Sequence, residues 1–287
     1  MNIQDIFRIS VVIFTVANMA AMGLESNPKE AMKTLKSTRF ILLTVGWGWV
    51  AGPALAYLIT RVVPMGEPQA AGVLLASMAP TAPFFPLVVS KARGDMNFGA
   101  ALILVTTLGT VALMPLLAPL MIKGMTVNAW AIAKPLLIMV LLPLMIGLAL
   151  RVYKAPLADK IFPVVKRTGV IFTLIIAVFI LVLYGREMLS TMGSYAVGAE
   201  ALFLIVMTVA SYKIGFGLKQ EQRSAMSLGM CTRNIAAVFG VYLAIPNPDP
   251  GLFVMLVLVV TLTGIISFSS AFIFARYSGS PGVTTPV

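Results

Sequence analysis

The 287-residue chain contains no histidine and a single cysteine, Cys231. Without histidine it has no imidazole for acid–base catalysis, no Cys–His nucleophile pair and no ordinary structural zinc site. One cysteine cannot close an intrachain disulfide. Charge is scarce as well: Asp, Glu, Lys and Arg make up 11% of the residues, against roughly 25% in a soluble domain. Only ten residues are acidic, and no two of them pair within an apolar run, so an intramembrane enzyme would lack an evident catalytic set. No metal or cofactor is implied. What fills the chain instead is apolar, 59% of the residues, which predicts an all-α integral membrane protein. A net charge of +11 would suggest nucleic acid in a soluble protein. Here the positive residues sit between apolar runs, where they orient a chain in a bilayer. The bilayer is therefore the expected partner, and nucleic acid is not.

Nine apolar runs can be marked, at roughly 6–23, 40–60, 69–90, 97–122, 130–150, 168–185, 194–217, 224–245 and 251–275. Each is near the ~20 residues that carry a helix across hydrocarbon. The apolar start of the chain holds Asp5 and Arg8 with no small-residue cleavage site after it, so it reads as a retained span rather than a signal peptide. Residues 1–276 form one transmembrane domain, and 277–287 a flexible tail rich in Ser, Gly, Pro and Thr. Lys29, Lys33, Lys36, Arg39, Lys91, Arg93, Arg151, Lys154, Lys160, Lys166, Arg167, Lys213, Lys219, Arg223 and Arg276 fall on one side of this pattern. Arg8, Arg61, Lys123, Lys134 and Arg186 fall on the other. The bias alternates with every run and predicts an N-terminus outside and a C-terminus in the cytoplasm of a cell membrane.

Two runs are irregular. The eighth has Arg233 at its centre, in LGMCTRNIAAVFG. A guanidinium there costs at least about 2.5–3.5 kcal/mol unless it faces protein or water, and small or polar neighbours (Gly229, Cys231, Thr232, Asn234) fit a helix broken at that point. The third carries Pro80, Pro83 and Pro86, each removing a backbone donor, so the chain is expected to unwind through Pro80–Pro86. An interfacial Arg233 and a merely kinked third helix are the bland alternatives. Runs 3 and 8 lie five apart, an odd number, so the units containing them have opposite topology. Interrupted helices at corresponding places in two halves point to a transporter's central site. Runs 1–4 would then pair with 6–9, leaving run 5 unpartnered.

The stretches MGLESNPKEAMKTLKSTRF, KARGDMNFGAAL, PLMIGLALR and RNIAA resemble the bile acid:sodium symporter family over nearly the whole length. The resemblance implies two broken helices that cross near the membrane centre, with an organic anion bound beside the crossing. It also exposes departures from the family's sodium ligands. The Ser-Asn pair of the first broken helix falls on Phe85 and Pro86, and the two preceding glycines on Thr81 and Ala82. Two hydroxyl ligands fall on Gly99 and Ile103, the Glu and Gln of the second broken helix on Gly229 and Arg233, and a further Gln near Gly48. A guanidinium where an ion would bind repels sodium, so sodium binding is not expected.

The expected function is a secondary carrier of an organic anion, bile-acid-like or another carboxylate, working by alternating access without sodium. A sodium symporter with relocated ligands is the runner-up; an enzyme or a channel is less supported. The substrate site is placed at Pro80, Thr81, Pro83, Pro86, Thr232, Arg233 and Asn234, with Asn18 and Thr106 as cavity-lining candidates. Arg233 is expected to hold carbonyls of the unwound 80–86 stretch. Glu200 is a candidate proton carrier or partner for Arg233, the alternative being a carboxylate that reaches the outer interface.

Overall fold

The computed structural model describes residues 3–25, 28–122, 129–192 and 195–278. Twelve helices account for nearly all of them, and no β-strand occurs among the described residues. They are α1 (Ile3–Glu25), α2 (Pro28–Leu35), α3 (Thr38–Val62), α4 (Glu67–Ser77), α5 (Phe85–Lys91), α6 (Met96–Met121), α7 (Ala129–Tyr153), α8 (Ala155–Met192), α9 (Tyr195–Lys213), α10 (Gln220–Cys231), α11 (Ile235–Ala244) and α12 (Pro250–Tyr277). Lys123 and the tail from Gly279 lie outside the described residues, as do the side chains of Arg8 and Arg186.

Helices dominate because a backbone in hydrocarbon must satisfy its own polar groups. Hydroxyls follow the same rule: Thr15, Thr44, Thr106, Thr110 and Thr208 each donate to the carbonyl one turn back in their own helix. Six of the helices, α1, α3, α6, α7, α9 and α12, are long and apolar enough to cross a membrane. Of the other three expected runs, 168–185 lies inside the 38-residue α8, and runs 3 and 8 are each divided into two shorter helices. A span assembled from two halves has no single helix of crossing length. In α3 and α7 the helix widens into a π turn, Gly46–Ala51 and Leu136–Leu141. Pro53 and Pro143 follow at the same offset; each lacks the N–H that would close a regular turn.

Helices α1, α7 and α8 pack together, with α1 lying along both others. In a second group α9 packs on α10 and α12, α12 on α4, and α10 on α6. Helix α11 reaches α7 as well as α12 and touches both groups. The α1–α7 contact is made backbone to backbone. A Cβ on Gly23 would collide with the Leu144 carbonyl oxygen, and one on Gly147 with that of Ala20.

Candidate functional site

The two helix breaks meet. Residues 78–84 separate α4 from α5, and residues 232–234 separate α10 from α11. Pro80 and Arg233 face each other as an isolated antiparallel bridge. Helix ends leave carbonyls without partners, and in a buried setting each one needs a donor. At this junction the donors come largely from the opposite break. The Asn234 amide donates to Ala79 O at 2.8 Å. The Thr81 amide donates to Gly229 O at 3.0 Å and Thr232 O at 2.8 Å, while the Thr232 hydroxyl accepts from the Ala82 amide at 3.2 Å. Trp49, from the π turn of α3, donates its indole N–H to Met78 O at 3.2 Å. Thr81 takes φ +69°, a left-handed conformation costly for a β-branched residue. Those two amide bonds and its hydroxyl bond to Gly229 O hold it there.

Arg233 is fully buried. Its guanidinium donates to Ser77 O at 3.4 Å and to Met230 O, the last-turn carbonyls of α4 and α10. This corrects the expected contact: the side chain reaches helix ends rather than the unwound 80–86 stretch, which meets Arg233 through backbone. The reason is electrostatic. Helix C-termini carry the negative end of the dipole, and a cation there gains about 0.3–1 kcal/mol per end, up to ~2 when partly buried. The guanidinium carbon also lies 4.7 Å above the centroid of the Phe203 ring on α9. Glu200, one turn before Phe203, is fully buried too and interacts electrostatically with Arg233.

Beside the junction lies a cavity of about 490 Å³, within the ~300–1,000 Å³ range of small-molecule sites. Asn18, Pro83 and Arg233 line it, together with Phe14, Phe84, Phe239 and Phe268, and with Thr173 and Thr261. Its wall is mostly apolar, and the Phe84 and Phe268 rings stack within it, 6.1 Å apart. Ile235, the first residue of α11, also faces it. Thr81, Thr232 and Asn234 belong to the junction rather than to the cavity wall. Thr106 is buried and bonded to Leu102 O within its own helix and does not line the cavity. Pro86 lines a different, smaller cavity of about 140 Å³ with Phe85, Gly99 and Ile103.

That smaller cavity gathers four positions assigned above to sodium ligands. None of the four side chains offers an oxygen. The Phe85 ring is buried and comes within 3.2 Å of where a Gly99 Cβ would stand. At Gly229 a Cβ would meet the end of the Leu102 side chain, so any larger residue there requires Leu102 to move. Trp49, Phe203 and the cavity phenylalanines escaped the sequence reading. Only Trp49 carried a signal, since an indole N–H inside a span requires an acceptor.

Fold and junction together define a multi-helix membrane protein built around two paired helix interruptions. The chain belongs to the Sodium Bile acid symporter family, whose model matches residues 12–191. It is 26% identical over 227 residues to the "Probable sodium/metabolite cotransporter BASS3, chloroplastic" of Arabidopsis thaliana, covering 75% of this chain and 50% of that protein. A rice (Oryza sativa subsp. japonica) protein of the same description is 25% identical over 203 residues, with 68% and 47% covered. The rice "Probable sodium/metabolite cotransporter BASS2, chloroplastic" is 23% identical over 209 residues, with 70% and 47% covered. The chain thus spans about half the length of the curated relatives it matches.

Proposed function

We propose that the protein is a secondary transporter of an organic anion, working by alternating access about the paired breaks and independent of sodium. The observation that carries this reading is Arg233, a buried cation in the wall of a largely apolar 490 Å³ cavity. An amphipathic carboxylate matches that lining: its charge meets the guanidinium and the N-terminus of α11, and its apolar body meets the phenylalanine rings. Loss of oxygen ligands at Phe85, Pro86, Gly99, Ile103, Gly229 and Arg233 supports independence from sodium. Replacing sodium by choline at fixed ionic strength should leave the affinity for a transported carboxylate within about twofold, under ~0.5 kcal/mol. A tenfold loss would instead favour a symporter with relocated ligands, the reading suggested by the relatives' printed descriptions.

In this reading nine spans cross a cell membrane, α4–α5 and α10–α11 each making one, with runs 1–4 and 6–9 related by inverted repetition. The N-terminus lies outside and the C-terminus in the cytoplasm. Cys231 is buried, so introduced cysteines can report topology. K33C should label only from the cytoplasmic side and N247C only from outside, both positions being exposed. The opposite pattern would invert the orientation.

A further inference from the structure

The junction holds two buried ionisable side chains of opposite type, and they differ in their bonding. Arg233 has two carbonyl partners and a ring beneath it. Both carboxyl oxygens of Glu200 are buried without any hydrogen-bond partner. The ionisable groups facing Glu200 among the described residues are Arg233, in the second break, and Cys231, the last residue of α10. Every other ionisable side chain described on the helices packed against α9 (α3, α4, α8, α10 and α12) is at least partly exposed. Glu200 lies on α9, whose residues do not line the cavity, whereas Arg233 does. The arginine therefore stands between an internal carboxylate and whatever anion occupies the cavity.

We propose that Glu200 binds the proton of a proton-coupled anion transport cycle, competing with the substrate carboxylate for the charge of Arg233. This rests on the anion-carrier reading above. With Glu200 ionised, the pair is neutral and the cavity offers an incoming anion little net attraction. With Glu200 protonated, the pair carries +1 and a monocarboxylate restores neutrality. Proton and anion bind together, one of each, and the loaded site crosses the membrane without net charge beyond that of the empty, ionised pair. Coupling is reciprocal: the proton tightens anion binding by the factor by which the anion tightens proton binding. A cavity that cannot hold two carboxylates against one guanidinium exchanges its internal acid's charge for the substrate's.

The test uses the full chain in lipid nanodiscs, with benzoate, 4-phenylbutyrate and cholate as probes. Calorimetric titrations are run at about pH 8 and about pH 6, each in two buffers of different ionisation enthalpy, so that protons taken up per anion are counted. In the parent protein, affinity for the anions that bind should rise by up to about tenfold per pH unit of acidification. Uptake at the higher pH should approach about one proton per anion. E200Q should bind at both pH values as tightly as the parent does in acid, with no proton uptake, and E200D should restore the pH dependence. Anion binding by the parent without pH dependence or proton uptake overturns the inference and leaves the carrier reading standing. A folded E200Q that loses binding at both pH values also overturns it, making Glu200 a clamp for Arg233. Absence of binding to all three anions, at both pH values and in both proteins, defeats the carrier reading and the inference with it. The proton count on the parent needs no variant and decides the coupling even if E200Q does not fold.

Discussion

R233M is expected to lower the unfolding free energy by about 3–5 kcal/mol, the scale seen when one partner of a buried ion pair is removed. Three losses combine in that change. The Ser77 and Met230 carbonyls, at the ends of α4 and α10, lose their donor. Glu200 loses the charge that faces it. The Phe203 ring loses its cation. Methionine replaces the volume, so a cavity accounts for little of the effect. Unfolding in mild detergent, followed by the intrinsic fluorescence of the three tryptophans, among them Trp49 beside the junction, measures it. The E200Q/R233M double variant should recover part of the loss, because neutral Gln no longer needs a counter-charge; couplings of such neighbours run to about 0.5–3 kcal/mol. R233K separates clamp from substrate contact. Lysine keeps the charge but lacks the planar fork that serves two helix ends at once. If Arg233 also meets the substrate, R233K should retain part of the anion affinity and R233Q should lose a further ~1.5–3 kcal/mol of it. An R233Q protein as stable, as tight and as fast as the parent would remove both roles.

The second large effect belongs to the α1–α7 contact. G23A should destabilise by about 1–3 kcal/mol, the usual cost of forcing extra volume into a packed interface. Its sign runs against helix propensity, since alanine for glycine in a helix interior otherwise gains about 0.8–1.0 kcal/mol. The new Cβ meets backbone: the Leu144 carbonyl oxygen, the Leu148 amide nitrogen at 2.7 Å and the Gly147 Cα at 3.0 Å. Backbone atoms cannot rotate aside as a side chain can, so the two helices must separate along their length. Gly198, in the first turn of α9 with open space around its Cβ position, is the control, and G198A should be neutral or stabilising. Equal thermal stability of G23A and G198A would show that α1 and α7 do not approach so closely. Because α1 brings Phe14 and Asn18 to the cavity, G23A should weaken anion binding as well as stability.

Much of the architecture was legible in the amino-acid order because its causes are local. The apolar runs declare helices through the cost of burying unbonded backbone. Prolines at 80, 83 and 86 declare a break because each lacks an N–H. Arg233 in an apolar run declares a protein-facing site because hydrocarbon excludes a lone charge. Helices α4–α5 and α10–α11 are interrupted at just those places. That Phe85, Gly99 and Ile103 bring no side-chain oxygen to the cavity they share could likewise be read from residue type.

What the sequence by itself determined, then, was where regular helix must fail and where a charge must be sheltered. Which atoms would shelter it was decided only by tertiary structure. Ser77 is 156 residues from Arg233 along the chain, and nothing local to either residue specifies that a guanidinium should end two half-helices rather than bind the unwound segment. Trp49, Phe203 and Glu200 sit in apolar surroundings where pattern alone cannot tell packing, lipid contact and site apart. Their roles depend on how α3 and α9 are rotated against the breaks. Rotation of that kind is set by packing over whole helix faces, through contacts such as Gly23 on Gly147, and helical periodicity within any one segment carries no information about its partner's register.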